Sequence, residues 1–235
     1  MNDNRAFADM TSEEQIASLD GCLRRSMVQY DIGDYEAESI DHEFNSTFRI
    51  IAADGTKFAL RININSNRTI ENLNAEVHWI SAIRSVKVPK PMINVEGVAV
   101  SSGWHEATDR QLNAVLYTWL EGEEPGDDPT ESQLYALGAA MAKLHIESAD
   151  LALPLGAELP VYQDVLWGAE DFLTSPTSTL TDEEKQIVAG VFAEVAAVLM
   201  ELGEGQRLQP IHADLHPWNA MWHEGEIAVF DFDDS

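Results

Sequence analysis

A run of strands with one helix, followed by a run of helices, predicts an α+β chain of two lobes, one a small sheet-plus-helix lobe and the other mainly helical. Three observations predict it. Glu43 to Ile51 and Thr56 to Ile64 are strand-like runs separated by Ala52-Ala53-Asp54-Gly55, and Asp-Gly between apolar runs signals a hairpin. The stretch EGEEPGDDP at 121–129 is acidic, rich in Gly and Pro, and unsuited to any regular element. Beyond it, apolar residues recur at helical spacing. The expected boundary therefore divides residues 1–120 from residues 121–235.

The elements follow in order. Thr11-Ser12-Glu13-Glu14 is a capping-box pattern and predicts a helix over about 12–28. The hairpin of 43–64 comes next. Ile70, Leu73, Val77, Ile80 and Ile83 recur at steps of three and four, the stripe of a helix that starts after Thr69 and cannot continue through Pro89 and Pro91. Further strands are expected around 92–100 and at Asn113 to Leu120. Past the acidic stretch, Thr130 with Gln133 caps a helix that carries Leu134, Leu137, Met141 and Leu144 inward. A weaker helical segment lies near 163–173. Thr181 with Glu184 caps another helix, with Ile187, Val188, Val191, Val195, Val198 and Leu199 as its expected buried face.

Composition limits the function classes. A net charge of −27 repels a phosphate backbone at long range, so no nucleic-acid partner is expected. No run of about 18 apolar residues occurs, so no membrane span is expected. The N-terminus lacks a basic region followed by an apolar core, and Cys22 is the single cysteine, which leaves no internal disulfide or Cys-rich zinc site. These features predict a cytoplasmic protein.

The densest run of chemistry is IHADLHPWNAMWHEGEIAVFDFDDS, from Ile211 to Ser235. Ala220-Met221-Trp222 and Ile227 to Phe230 read as two short strands joined through Glu224-Gly225. Asn219 then stands at the start of one strand and Asp231 at the end of its partner, so the hairpin brings them together. A carboxylate and a carboxamide offer the hard oxygen ligands that suit Mg²⁺. Asp214, on the preceding loop, can accept a proton from a hydroxyl nucleophile. Phosphoryl transfer needs that combination of a metal and a positioned proton acceptor.

His212-Ala213-Asp214, four residues, Asn219 and then Asp231 resemble the H-x-D-x-x-x-x-N and D-F-G elements of kinases. The form IHADLHPWNAMW with AVFDFDD is more specifically similar to the aminoglycoside phosphotransferase family, which takes in choline-kinase-like, homoserine-kinase-like and stress-response kinases. The resemblance covers roughly residues 40–235 and implies a two-lobed protein-kinase-like fold, with ATP and Mg²⁺ as cofactors. It implies transfer of the γ-phosphate of ATP to a hydroxyl of a small molecule. FNSTFRI with KFALRI resembles the hairpin over the nucleotide phosphates, and AVLYTWLEG resembles the hinge strand, which makes Tyr117, Thr118 and Trp119 candidate nucleotide contacts. Ala59 and Arg61 share a strand face and would meet adenine and phosphate, with Arg61 where kinases of this kind carry lysine. Lys57, on the same face, is a rival for that role. Glu76 is the best ion-pair partner for Arg61, and Glu71 the second.

The same resemblance makes Asp214 and His212 the catalytic pair, with His212 bracing the loop. Asn219 and Asp231 become the metal ligands, and Asp233, at the Gly position of D-F-G, adds a second metal contact. Ala213 stands where many protein kinases have arginine, which favours a small-molecule acceptor. An acidic lower lobe suits a cationic one. Family members continue past D-F-D into helices that build the acceptor pocket, so the chain is expected to lack them, to bind nucleotide weakly and to turn over slowly. Two rival readings stay open: a metal-dependent phosphoesterase built on His212, Asp214, Asp231 and Asp233, and a nucleotide-binding or interaction protein without turnover.

Overall fold

The computed structural model describes residues 6–66, 68–161, 164–166, 169–205 and 208–234. Two compact units result, Met1–Leu159 with Pro210–Ser235, and Pro160–Gln209. The units do not part at 120/121. Glu123 and Trp222 exchange backbone hydrogen bonds at 3.2 and 2.8 Å, which ties the acidic stretch into the first unit.

In the first unit, Thr11 and Glu14 form the expected capping box, but the following helical segment is two helices, α1 (Ser12–Ser18) and α2 (Asp20–Met27). The Ser18 hydroxyl donates to Gln15 O at 2.6 Å, a bond of the kind that bends helices. Five antiparallel strands follow: β1 (Tyr35–His42), β2 (Ser46–Ala52), β3 (Lys57–Ile62), β4 (Val100–His105) and β5 (Arg110–Thr118), in spatial order β1-β2-β3-β5-β4. The sequence reading missed β1. Its residues YEAESIDH are mostly polar, as suits an edge strand with no fully buried position. The strand expected at 92–100 is instead a turn, in which Asn94 Oδ1 accepts from the N–H groups of Glu96 and Val98 at 2.9 and 3.2 Å.

The sheet is buried on both faces. Phe48, Ile50, Leu60, Ile62, Leu112, Ala114 and Leu116 point to α1 and α2. Val115 and Tyr117, offset by one residue on β5, point the other way, to Trp79, Ile80 and Ile83 on or beside α3 (Ile70–Ala82). Each fully buried Leu or Ile of this kind contributes about 1.5–3 kcal/mol. Gly103 lets α2 lie close on β4: a Cβ there would stand 2.5 Å from Cys22 O.

Helix α4 (Glu131–Ser148) buries Leu137, Ala140 and Leu144, whereas Leu134 and Met141, expected inward, are 50 % and 37 % exposed. Strands β6 (Ala220–His223) and β7 (Glu226–Val229) form the predicted terminal hairpin, turning through Glu224 and Gly225 at φ of 51° and 85°.

In the second unit, α5 (Asp182–Gly203) starts at the expected Thr181–Glu184 capping box. None of its residues is buried: Ile187, Val191 and Val198 are more than half exposed. The expected face thus has the right periodicity, but no residue on it is buried among the described residues. By length and composition α5 could also cross a membrane, with a mean hydropathy of 1.6 over 18 residues, although no unbroken apolar run occurs. The helical segment expected near 163–173 falls partly outside the described residues. Residues 164–166 and 169–173 form bends, turns and irregular chain.

Candidate active site

Chain segments far apart in sequence meet around one cleft of about 930 Å³ in the first unit. Ala59, Arg61, Glu76, Tyr117, Thr118, Trp119, Asp214, Asn219, Asp231 and Asp233 line it, all of them residues singled out from sequence. Lys57 and His212 do not. Lys57 Nζ reaches out to Glu121 Oε1 at 2.9 Å, and His212 sits in the core.

Arg61 projects from β3 toward α3. Its Nη2 donates to Glu76 Oε1 and Oε2 at 2.6 and 2.5 Å, and the two side chains are 9 % and 5 % exposed. Tyr117, opposite Ala59 on β5, donates its hydroxyl to Glu76 Oε1 at 3.1 Å, and its ring centroid lies 5.6 Å from the Arg61 guanidinium carbon. The Tyr117 hydroxyl is thus engaged with Glu76, while the residue still lines the cleft. Burial raises its phenol well above the ordinary value, which keeps it a proton donor. For Arg61, burial works against the charge, but Glu76 first and then Asp233 and Asp231 outweigh it and hold the guanidinium positive. Glu71, the second candidate partner, is exposed at the start of α3.

Arg61 Nη1 lies 3.6 Å from Asp231 Oδ1, and its buried Nε has no hydrogen-bond partner. At the hinge, Thr118 is already engaged: its N–H donates to Lys90 O and its hydroxyl accepts from Lys90 N, both at 2.8 Å. Trp119 lies under Arg49 at 6.0 Å.

The loop from His212 to Asn219 is held in a strained form. Asp214 N–H donates to His212 O at 2.8 Å across Ala213, whose φ is 63°. A non-glycine residue there costs about 1–3 kcal/mol. Burial lowers the His212 pKa, so the ring is neutral near pH 7. Its Nε2 donates to Phe230 O at 2.8 Å, and the ring packs on Phe232 at 4.6 Å. Phe232 in turn meets Trp79 edge to face at 5.1 Å. His212 braces the loop against β7 and α3.

Asp214, half exposed, accepts from Asn219 Nδ2 at 3.0 Å. His216, on which sequence reasoning placed no definite role, also reaches it, with Nε2 3.3 Å from Asp214 Oδ2. His216 Nδ1 accepts from Trp218 N–H at 3.2 Å, and its Nε2 also lies 3.2 Å from Asn219 Nδ2. Asn219, 8 % exposed, turns its NH₂ to Asp214 and so its carbonyl oxygen away. Asp231 also has a φ of 63°. Partial burial and then repulsion from Asp233 push its carboxyl up to about 7, against the pull of Arg61. Water reaches 42 % of the side chain and screens part of that effect.

Two carboxylates that repel each other and a carboxamide oxygen fit a divalent cation, which would relieve the repulsion. Mg²⁺ typically takes one or two carboxylates and completes its shell with phosphate and water. A phosphoesterase centre built on His212, Asp214, Asp231 and Asp233 fits poorly, because His212 is committed to Phe230 O. Among the described residues no group of three or more His, Cys, Asp or Glu side chains forms a metal cage.

Sequence reasoning also missed Asn45 and Asn63. Each is a polar residue at a strand end, and nothing in its local pattern marks it as buried.

Residues 37–235 match the model of the phosphotransferase enzyme family (APH). The amicoumacin kinase of Bacillus subtilis (strain 168) is 25 % identical over 188 residues, which cover 77 % of this chain and 53 % of that protein. The chain thus spans about half the length of this curated relative. Among solved structures, a microcompartment-associated aminopropanol kinase superposes with a TM-score of 0.69 at 21 % identity, over 94 % of this chain and 69 % of that one. An amicoumacin kinase in complex with AMP-PNP, Ca²⁺ and Ami gives the same score and identity over 95 % and 67 %. The fold is that of these kinases, and the chain belongs to the phosphotransferase enzyme family.

Proposed function

We propose that this chain is an ATP-dependent phosphotransferase that moves the γ-phosphate of ATP to a hydroxyl group of a small molecule. The observation that carries the reading is the gathering of a buried, charge-paired Arg61, the oxygen donors Asn219, Asp231 and Asp233, and the loop carboxylate Asp214 around one cleft. The membership of the family and the amicoumacin kinase relative support it.

Arg61, locked by Glu76 and Tyr117, brings its positive charge to the cleft where the phosphates would lie. Because it needs no rearrangement during transfer, its charge is preorganised, the condition under which electrostatic stabilisation is strongest. Asn219, Asp231 and Asp233 would hold Mg²⁺, which neutralises phosphate charge when bound. Asp214 accepts the proton as the acceptor hydroxyl attacks. His216 and Asn219 fix one of its oxygens and so orient the carboxylate. Asp41, Glu43 and Glu124 add negative charge to the cleft lining, which suits a cationic acceptor.

The test is a coupled assay of ADP release with Mg²⁺-ATP and a panel of small alcohols, with and without an amine. Transfer to at least one alcohol is expected, and Asp214→Asn should slow it by roughly 10²–10⁴-fold while leaving nucleotide affinity nearly intact. Hydrolysis of a phosphomonoester without nucleotide would favour the phosphoesterase. Nucleotide binding without any transfer would favour a binding protein.

A further inference from the structure

Asn45 lies in the turn between β1 and β2, and Asp233 lies 188 residues away, yet Asn45 Nδ2 donates to Asp233 Oδ2 at 2.6 Å. Behind it, Asn63 Nδ2 donates to Asn45 Oδ1 at 2.8 Å. Both asparagines are buried, at 7 % and 6 % exposure. The direction of this relay is set from one end. A carboxylate only accepts, so Asn45 must turn its NH₂ to Asp233 and its carbonyl to Asn63, which must answer with its own NH₂. Asn63 Oδ1 is then left buried without a hydrogen-bond partner, so the arrangement is held at the expense of a polar group.

The turn is fixed from its other side as well. Asn65 N–H donates to Phe44 O at 2.9 Å and Asn65 Nδ2 to Glu43 O at 2.8 Å, while Glu43 N–H donates to Asn45 O at 2.9 Å. Phe44, Asn45 and Asp233 all line the cleft. The Asn45–Asp233 hydrogen bond therefore joins the turn at the cleft to the carboxylate opposite Asp231.

Resting on the phosphotransferase reading of the cleft, we infer that Asn45 is a positioning residue for the metal. Supported by Asn63, it holds one Asp233 oxygen and thereby sets where the other can meet a divalent cation. Partners that orient a metal ligand in this way commonly change metal affinity by roughly 10–100-fold when removed.

The experiment measures AMP-PNP affinity of the whole chain by calorimetry, in EDTA and across an Mg²⁺ titration. Wild type is expected to bind more tightly with Mg²⁺. Asn45→Ala should raise the Mg²⁺ concentration needed for that gain by roughly 10–100-fold and leave the affinity in EDTA within about 2-fold. On an Asp233→Ala background, Asn45→Ala should change nothing further, because its effect passes through that carboxylate. If Asn45→Ala fails to fold, Asn63→Ala, which loosens Asn45 without touching Asp233, takes its place and should shift the Mg²⁺ requirement in the same direction. Equal losses with and without Mg²⁺, or full additivity with Asp233→Ala, would overturn the inference alone. A wild type whose AMP-PNP affinity ignores Mg²⁺ would overturn the functional reading and this inference with it.

Discussion

Replacing Arg61 by methionine removes the positive half of a buried pair whose side chains are 9 % and 5 % exposed. Glu76 would then keep one partner, the Tyr117 hydroxyl at 3.1 Å, for a charge that had two further bonds at 2.6 and 2.5 Å. Leaving a buried charge uncompensated costs about 3–5 kcal/mol. With a urea slope of about 2 kcal/mol per molar, the unfolding midpoint should fall by roughly 1.5–2.5 M. Replacing both partners, as Arg61→Met with Glu76→Leu, removes the stranded charge and should restore most of the lost stability. The residual deficit is the unmet Tyr117 hydroxyl, about 1–3 kcal/mol. Function should part from stability in the double variant, which folds but binds ATP little better than adenosine. Urea unfolding followed by tryptophan fluorescence and calorimetry with ATP and adenosine read the two effects. A single variant within 1 kcal/mol of wild type, or equal losses for ATP and adenosine, would refute the reasoning.

Two further outcomes test the fold around the site. His105 is fully buried between Ser18 Oγ at 2.9 Å and Thr108 Oγ1 at 2.7 Å, and burial lowers its pKa below the ordinary 6.5. The unfolded chain therefore binds the proton more readily, so this contribution to stability is present above pH 6.5 and is lost as pH falls through the folded value. Asp231, raised to about 7, acts in the opposite sense, so the reading is the difference in urea midpoint between wild type and His105→Gln from pH 8 to 5. A difference that does not shrink as pH falls would refute a neutral, buried His105. For Gly103→Ala, the new Cβ would stand 2.5 Å from the Cys22 carbonyl oxygen, so α2 must lift from β4 at a cost of about 1–3 kcal/mol. An unchanged urea midpoint would show that the two elements are not in such close contact.

Much of the site was legible because its residues lie close in sequence or at fixed period. The Glu224-Gly225 turn placed Asn219 and Asp231 at the two ends of a hairpin, and strand alternation put Ala59 and Arg61 on one face. Capping boxes at Thr11, Thr130 and Thr181 marked three helix starts. Where local signals were weak, the reading failed. An edge strand of mostly polar residues carries no apolar alternation, so β1 was missed, and an Asn94 turn passed for a strand because its apolar residues are adjacent to it.

The sequence by itself determined the periodicities, the turns and the spacing of His212, Asp214, Asn219 and Asp231, because each rests on interactions a few residues long. The tertiary structure alone decided which side chains face one another. Lys57 and Arg61 share a strand face, yet packing turned Lys57 to Glu121 and buried Arg61 against Glu76. The Tyr117 hydroxyl was engaged with Glu76 of that pair, and Asn45 was brought to Asp233 across 188 residues. The six apolar residues of α5 share a helical face, but a periodic pattern specifies only that a face exists. Whether it is covered depends on the surfaces other segments bring to it, and no local pattern carries that information.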